Sequence, residues 1–373
     1  MLISIIFIST ESIFLVSLVP FTNMLGGFLG SLLFPYAMDK YSMKKILVNT
    51  QFFKTILLFL LIIQYIYFSE YLMLVYISVF LIKLLDSFAQ PVSTALIPSM
   101  VHENYLMKAN SLMTTTFQFT QIGGWAVGGI LITILGAENT LILTVALYLS
   151  STIVLNSLSN KLDDTKNKIK KNGFLEGWKL IWGNPIIFFS TLILIVQAMI
   201  SPIWTSALLY PYILDFLNLN LNWWGYINTS LLVGLFIGGI LAYFKSDYIE
   251  NKAHKLLVLT LGALSLTIFL FGINKHAFFT LFIIFSYGLF QEINSIILTV
   301  TIQKEVKDNH LAKVFAAQGA IIMMVVAIAT LVYGALGDFL SINSLYVYAS
   351  FISLFSLFLS FGLLSRIKNK RAN

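Results

Sequence analysis

Four ionisable residues, Lys54, Lys83, Asp86 and Glu292, fall inside long apolar runs of this sequence. Charges placed in bilayer hydrocarbon are costly, and they are kept mainly for ion or substrate pathways, proton relays or mutual pairing. Glu292 has Gly288, Leu289, Ser295 and Ile296 as helix neighbours, none of them a cation. Such a carboxyl could load and lose a proton near neutral pH, as coupling to a proton gradient requires. A hydrogen bond to a polar group on another helix is the competing account. Lys83 and Asp86 stand three apart, share a helix face and can pair, which either neutralises both or prepares them for coupling. Lys54 lies nine residues past Lys45, about 13 Å along a helix, within partial reach of a snorkelling stem, so its role reads as structural. The proton-coupling candidates are therefore Glu292, Asp86 and Lys83. Gln197, Ser201, Trp204, Gln291 and Asn294 are candidate cavity and substrate contacts, and Pro202 could loosen the backbone beside them.

Other chemistries are excluded by what is missing. There is no cysteine, hence no disulfide or thiolate metal site. His102, His254, His276 and His310 fall in loops without ligand spacing and read as interfacial residues, so no metal is expected. No phosphate-cradling G-x-x-x-x-G-K-[ST] occurs, and no nucleophile, base and oxyanion donors converge in any motif. The chain reads as neither an enzyme nor an ATPase, and as needing no cofactor.

The elements that must hold these residues are membrane helices. Hydrophobic residues make up 58% of the chain and charged ones only 10%, which no soluble core could absorb. Eleven full spans are expected, near 12–38, 46–68, 71–97, 109–136, 140–159, 185–212, 224–244, 256–273, 277–300, 315–337 and 342–364. Residues 1–9 are apolar but too short to cross, and are expected to be the end of a first helix whose beginning is missing, with Glu11 in the outer loop after it. Twenty of the 23 Lys and Arg lie in loops of one side and at the C-terminal RIKNKRAN. By the positive-inside rule that side is cytoplasmic, and the scatter of these cations leaves no compact patch for nucleic acid. Trp223, Trp224, Tyr210 and Tyr212 suit the outer aromatic belt. Between 160 and 184 a lysine-rich segment leads into an amphipathic stretch at Leu175 to Trp182, expected as a solvated tether with a surface helix. It divides the chain into 1–159, the linker 160–184, and 185–373.

The most informative loop follows a glycine-bearing span. Gly26 and Gly30 lie four apart on one face, as do Gly124 and Gly128, and Gly234 and Gly238, where missing side chains permit close helix approach in lipid. After Gly30 comes Asp39-Lys40-Tyr41-Ser42-Met43-Lys44-Lys45. This loop resembles the signature G-x-x-x-D-[RK]-x-G-[RK]-[RK] of the major facilitator superfamily, with Asp39, Lys40 and Lys44 in register, Lys45 directly after them, and Pro35 and Ser42 replacing the two glycines. Gly124 to Gly129 resembles the superfamily's exporter motif G-P-x-x-G-G, with Trp125 in place of proline. Segments 88–112 and 301–317 are similar to those of bacterial macrolide-type and siderophore-type exporters.

An internal repeat supports this. Ile97, Val101, Asn104, Leu106 and Lys108 recur 205 positions later as Ile302, Val306, Asn309, Leu311 and Lys313, while Gly26, Gly30, Asp39 and Lys44 recur at a shift of 208 as Gly234, Gly238, Asp247 and Lys252. Both copies lie on the cytoplasmic side, as in halves related by an axis along the membrane normal. The resemblance implies an all-α membrane fold of two pseudo-symmetric six-helix halves. It implies a monomeric plasma-membrane secondary transporter with its C-terminus in the cytoplasm, in which Asp39 to Lys45 gates the inner side. Few fixed charges in the spans favour proton-driven export of a small amphipathic compound, with a siderophore or other secreted metabolite as the alternative. A non-transporting remnant or partner-binding membrane protein is the alternative of another class.

Overall fold

The computed structural model describes residues 13–67, 72–157, 175–220, 222–337 and 339–372. The expected short helix at 1–9, Glu11 and the linker at 160–174 lie outside them. Every regular element among the described residues is helical. In chain order these are α1 Ile13–Lys40, α2 Met43–Tyr67, α3 Leu72–Met100, α4 Leu106–Asn156, α5 Glu176–Gly183, α6 Pro185–Ile200, α7 Ser206–Pro211, α8 Asn222–Phe244, α9 Ser246–Asn251, α10 Ala253–Ile273, α11 Ala277–Glu305, α12 Asp308–Gly337 and α13 Ile342–Ala372. Nine stretches among the described residues are long and apolar enough to cross a membrane. The two further spans expected near 12–38 and 109–136 correspond to α1 and the first part of α4, which run into residues whose side chains lie outside the description.

Local chemistry explains where the helices break. The spans expected at 109–136 and 140–159 run on as α4 through Gly136, whose φ of 79° and ψ of 168° interrupt the helix. A side chain there would be strained, which glycine avoids. The single span expected at 185–212 is instead discontinuous. Asn184 caps α6 by accepting from the backbone N–H groups of Ile186 and Ile187, and Pro185 fills the first turn. A 3-10 turn at Ser201–Trp204, carrying Pro202, then ends the helix, and the chain resumes as α7 and a π turn at Tyr212–Phe216. Tyr212 is not a belt residue: it is fully buried, and its hydroxyl donates to Phe271 O at 2.7 Å.

Packing divides the chain into two compact units that cut across its sequence halves, because α4 and α12 each contribute to both. The first holds Met1–Leu96, Trp125–Lys179 and Asp308–Met323. Within it α1 lies close on α3. A Cβ at Gly26 would stand 2.5 Å from Phe80 O, and one at Gly30 would stand 2.5 Å from Leu84 O and closer still to Ser87 Oγ. The second holds Ile97–Gly124, Leu180–Lys307 and Met324–Asn373. There α8 meets α11 through Gly234, where a Cβ would press on Phe285 O, and Gly238, where one would stand 2.7 Å from Leu289 O, with Gly288 of α11 answering against Leu231 O. Small residues at such contacts let backbones approach where lipid supplies no hydrophobic drive. At Gly124 no described atom lies within 4 Å of where its Cβ would be, so no close approach is seen there among the described residues. Gly128 lies outside the residues whose surroundings are described.

Candidate functional site

Glu292 sits midway along α11 in the second unit and is 4% exposed. Its own helix offers it no polar partner, and the groups against its carboxyl come from the first part of α4. Gln118 Nε2 donates to Glu292 Oε2 at 3.4 Å, and the Thr114 hydroxyl is the second hydrogen-bonding neighbour. No cation pairs with it among the described residues. Two further features fix the site. Asn110 Nδ2 donates to Gln303 Oε1 at 2.6 Å, and this contact together with Gln118 to Glu292 makes α4 and α11 antiparallel neighbours. On the other side a Cβ at Gly238 would fall 2.9 Å from Glu292 Cβ, so the glycine of α8 makes room for the acid. Both sequence accounts of Glu292 therefore meet in one place, a buried carboxyl without a cation and a carboxyl bonded to another helix.

The amides expected around it carry unused acceptors. Gln291 and Asn294 share a face of α11, and the side-chain oxygens of both, with Gln197 Oε1, are buried and have no hydrogen-bond partner among the described residues. Gln197 Nε2 donates to Ser356 Oγ at 3.2 Å, while Ser201 turns back to its own helix, donating to Ala198 O at 2.9 Å. Trp204 packs into an aromatic cluster, its ring 4.7 Å from that of Tyr287 and 5.0 Å from that of Phe271.

In the first unit, Asp86 pairs with Lys54, not with Lys83. Lys54 Nζ donates to Asp86 Oδ1 at 2.7 Å, with the lysine 8% and the aspartate 41% exposed. Sharing a helix face made Lys83 available to Asp86, but α2 brings a second ammonium from the side. Lys54, read as a snorkelling residue, is thus a buried partner in a mid-span ion pair, with the Tyr148 ring 5.6 Å from its ammonium.

A second charged cluster joins α1, α5 and α12 in the same unit. Lys313 has a fully buried side chain whose Nζ donates to Asp39 Oδ1 at 2.6 Å and to Glu176 Oε2 at 2.9 Å. His310 Nδ1 lies 3.0 Å from Glu176 Oε1, a charged contact when the imidazole is protonated. Gly177 seats α5 directly on the Lys313 carbonyl, where a Cβ could not fit. Near the motif loop, Lys40 and Lys45 are exposed and Lys44 is buried. Ser42, at the second glycine position of the motif, accepts from Lys45 N at 3.4 Å and caps α2.

The sequence profile of the Major Facilitator Superfamily matches residues 1–330. The chain belongs to this superfamily. Among its relatives in Bacillus subtilis (strain 168), the protein called "Uncharacterized MFS-type transporter YfmI" is 24% identical over 370 residues, covering 96% of this chain and 90% of that one. A second, "Uncharacterized MFS-type transporter YjbB", is 21% identical over 354 residues, covering 92% and 87%. Solved structures share the fold. A bacterial homologue of the iron transporter ferroportin has a TM-score of 0.71 at 15% identity, over 98% of this chain and 93% of that one. The proton:xylose symporter XylE has a TM-score of 0.73 at 12% identity, over 92% and 85%. The human organic anion transporter MFSD10 has a TM-score of 0.74 at 11% identity, over 92% and 83%.

As a major facilitator protein this chain is a multi-pass membrane transporter. Two readings of the segments beside the Lys313 cluster need correcting. The amphipathic stretch expected as a surface helix does form a helix, but its Glu176 and Gly177 are fastened to α12, and His310 contacts an acid and is not a plain interfacial residue. Sequence reasoning also passed over Lys313, counted only as a loop cation, and Gln118, whose four-residue spacing from Thr114 on one face was the available signal.

Proposed function

We propose that this facilitator exports a small amphipathic compound of drug or antibiotic type across the plasma membrane in exchange for protons. The proton gradient is its energy source and it uses no cofactor. The observation that supports this most is Glu292, a carboxyl almost fully buried within a membrane-spanning helix, with an amide and a hydroxyl for company and no cation among the described residues. Intramembrane carboxyls in such settings serve proton pathways. In this reading Glu292 takes a proton from outside, and proton and substrate compete for a membrane-embedded cavity. Gln197, Ser201, Trp204, Gln291 and Asn294 contact the substrate, and the loop from Asp39 to Lys45 holds the inner side shut. Basic loops and the C-terminus face the cytoplasm, and the protein works as a monomer. Two of the structurally similar proteins are named as proton symporters, for xylose and for fucose, which is in keeping with proton coupling on this fold.

The test is Glu292→Gln, which keeps the shape and the hydrogen bond while removing the titrating group. Cells with the wild-type chain should lose a fluorescent amphipathic dye in a protonophore-sensitive manner. The variant should reach the membrane in equal amount and show no pH-driven export. Proton coupling unchanged in the variant would remove Glu292 from the mechanism.

A further inference from the structure

Among the described residues, the membrane-crossing stretches of the first unit carry three charges away from their ends: Lys54, Lys83 and Asp86. Lys54 and Asp86 neutralise each other at 2.7 Å. Lys83 has no ion pair among the described residues, which leaves one positive charge in excess. Its placement on α3 is defined by what occupies the flanks. On one side Phe80, Leu84 and Ser87 face Gly26 and Gly30 of α1; on the other Asp86 turns to Lys54 of α2. Lys83 lies between these flanks. Gln90 follows seven residues on, two turns along nearly the same line, about 10 Å away. Lys83 is partly exposed and Gln90 is exposed.

The stem of Lys83 is held by small and soft neighbours. A Cβ at Gly27 would lie 3.8 Å from Lys83 Cε and 2.9 Å from Met323 Sδ, so glycine leaves the lysine a slot beside a methionine. Lys83 is the twelfth residue of a 29-residue helix, about 16 Å from its start, well inside the hydrocarbon depth. An ammonium with no ion pair among the described residues cannot face lipid at that depth without a large cost, which a bound anion would relieve. A singly charged surface with apolar surroundings is complementary to a molecule with one acidic group on an apolar body. Several phosphate charges would call for more cations or for arginine forks.

We propose that Lys83 is an anion receptor and that the substrate of this transporter is an amphipathic monoanion, with a carboxylate, phenolate or sulfonate meeting Lys83 and a hydrogen-bonding group reaching Gln90. The inference rests on the export reading for the word substrate, but not on Glu292. It is tested by binding to the purified full chain, using 8-anilinonaphthalene-1-sulfonate and its uncharged parent N-phenyl-1-naphthylamine as a matched pair of fluorescent probes. Wild type should bind the sulfonate saturably and more tightly than the parent. Lys83→Gln should weaken the sulfonate by about tenfold or more, the scale of a lost charge-assisted bond, and leave the parent unchanged. Lys83→Arg, which keeps the charge, should restore most of the preference and guards against misfolding as the cause. Equal affinity for the two probes, no saturable sulfonate binding to wild type, or sulfonate binding that survives Lys83→Gln would each overturn the proposal. Export is read separately in cells: a binding contrast without export sinks the export reading and upholds the anion receptor, and export without the contrast does the reverse.

Discussion

Lys313 Nζ stands 2.6 Å from Asp39 Oδ1, with the lysine side chain fully buried and Glu176 Oε2 a further 2.9 Å partner. One ammonium thus satisfies two carboxylates from two other helices. The arrangement is asymmetric in its consequences. Removing either acid leaves the lysine a counter-ion, whereas removing the lysine takes the ammonium from both acids at once and leaves Glu176 its contact with His310. Breaking a buried pair so that charge is left uncompensated costs about 3–5 kcal/mol, while exposure of the acids at 21% and 12% moderates this. Lys313→Met should therefore lower the melting temperature of the detergent-purified protein well beyond Asp39→Asn. A melting temperature the same in both variants would show that the cluster does not hold α1, α5 and α12 together.

The glycine pairs make a sharper comparison, because equal spacing has unequal consequences. Gly30→Ala would push a methyl group into Leu84 O and Ser87 Oγ, backbone and side chain of a packed neighbour, whereas Gly124→Ala meets no described atom within 4 Å. Overpacking of this kind costs about 1–3 kcal/mol. Replacing an unencumbered helical glycine by alanine gains about 0.5–1 kcal/mol. Thermal unfolding should show Gly30→Ala destabilised and Gly124→Ala unchanged or slightly stabilised; the reverse order would contradict the packing of α1 on α3.

What could be read in the sequence was whatever depends on composition and period. Apolar runs of about 20 residues and the one-sided lysines established a helical membrane protein, and the Asp39 loop with the two repeat shifts pointed to the superfamily. Partner choice was out of reach because it is set across helices. Lys83 and Asp86 share a face by spacing, yet Asp86 goes to Lys54, 32 positions away on α2. Lys313 and Lys108 occupy equivalent repeat positions, but Lys313 is buried between two acids while Lys108 is exposed, its ammonium 4.9 Å from the Tyr243 ring. Tyr212 has the composition of a belt residue and the position of a core one, since the discontinuity after Ile200 turns it inward against Phe271. Glu292 was legible as an isolated acid, and Gln118 as its donor was not, since nothing local ties positions 174 residues apart.

The absence of cysteine from the chain makes the last prediction clean. Ser31 of α1 and Gly319 of α12 approach within the first unit: a Cβ at Gly319 would lie 3.8 Å from Ser31 Oγ and meet no other described atom within 4 Å. With a cysteine at each position the sulfur at 31 would lie near the Cβ at 319, an approach that a disulfide can close by adjustment of the two side chains. Ser31→Cys with Gly319→Cys should oxidise readily under mild conditions, and neither single variant should. Because α1 carries the motif loop and α12 carries Lys313, the bond would fasten the two helices above the Asp39 cluster. If transport requires that cluster to open, oxidation should abolish dye export and a reductant should restore it, with the single variants active throughout. Full export from the oxidised double variant would show that α1 and α12 stay together through the cycle, and the role of the Asp39 to Lys45 loop as a gate would have to be abandoned.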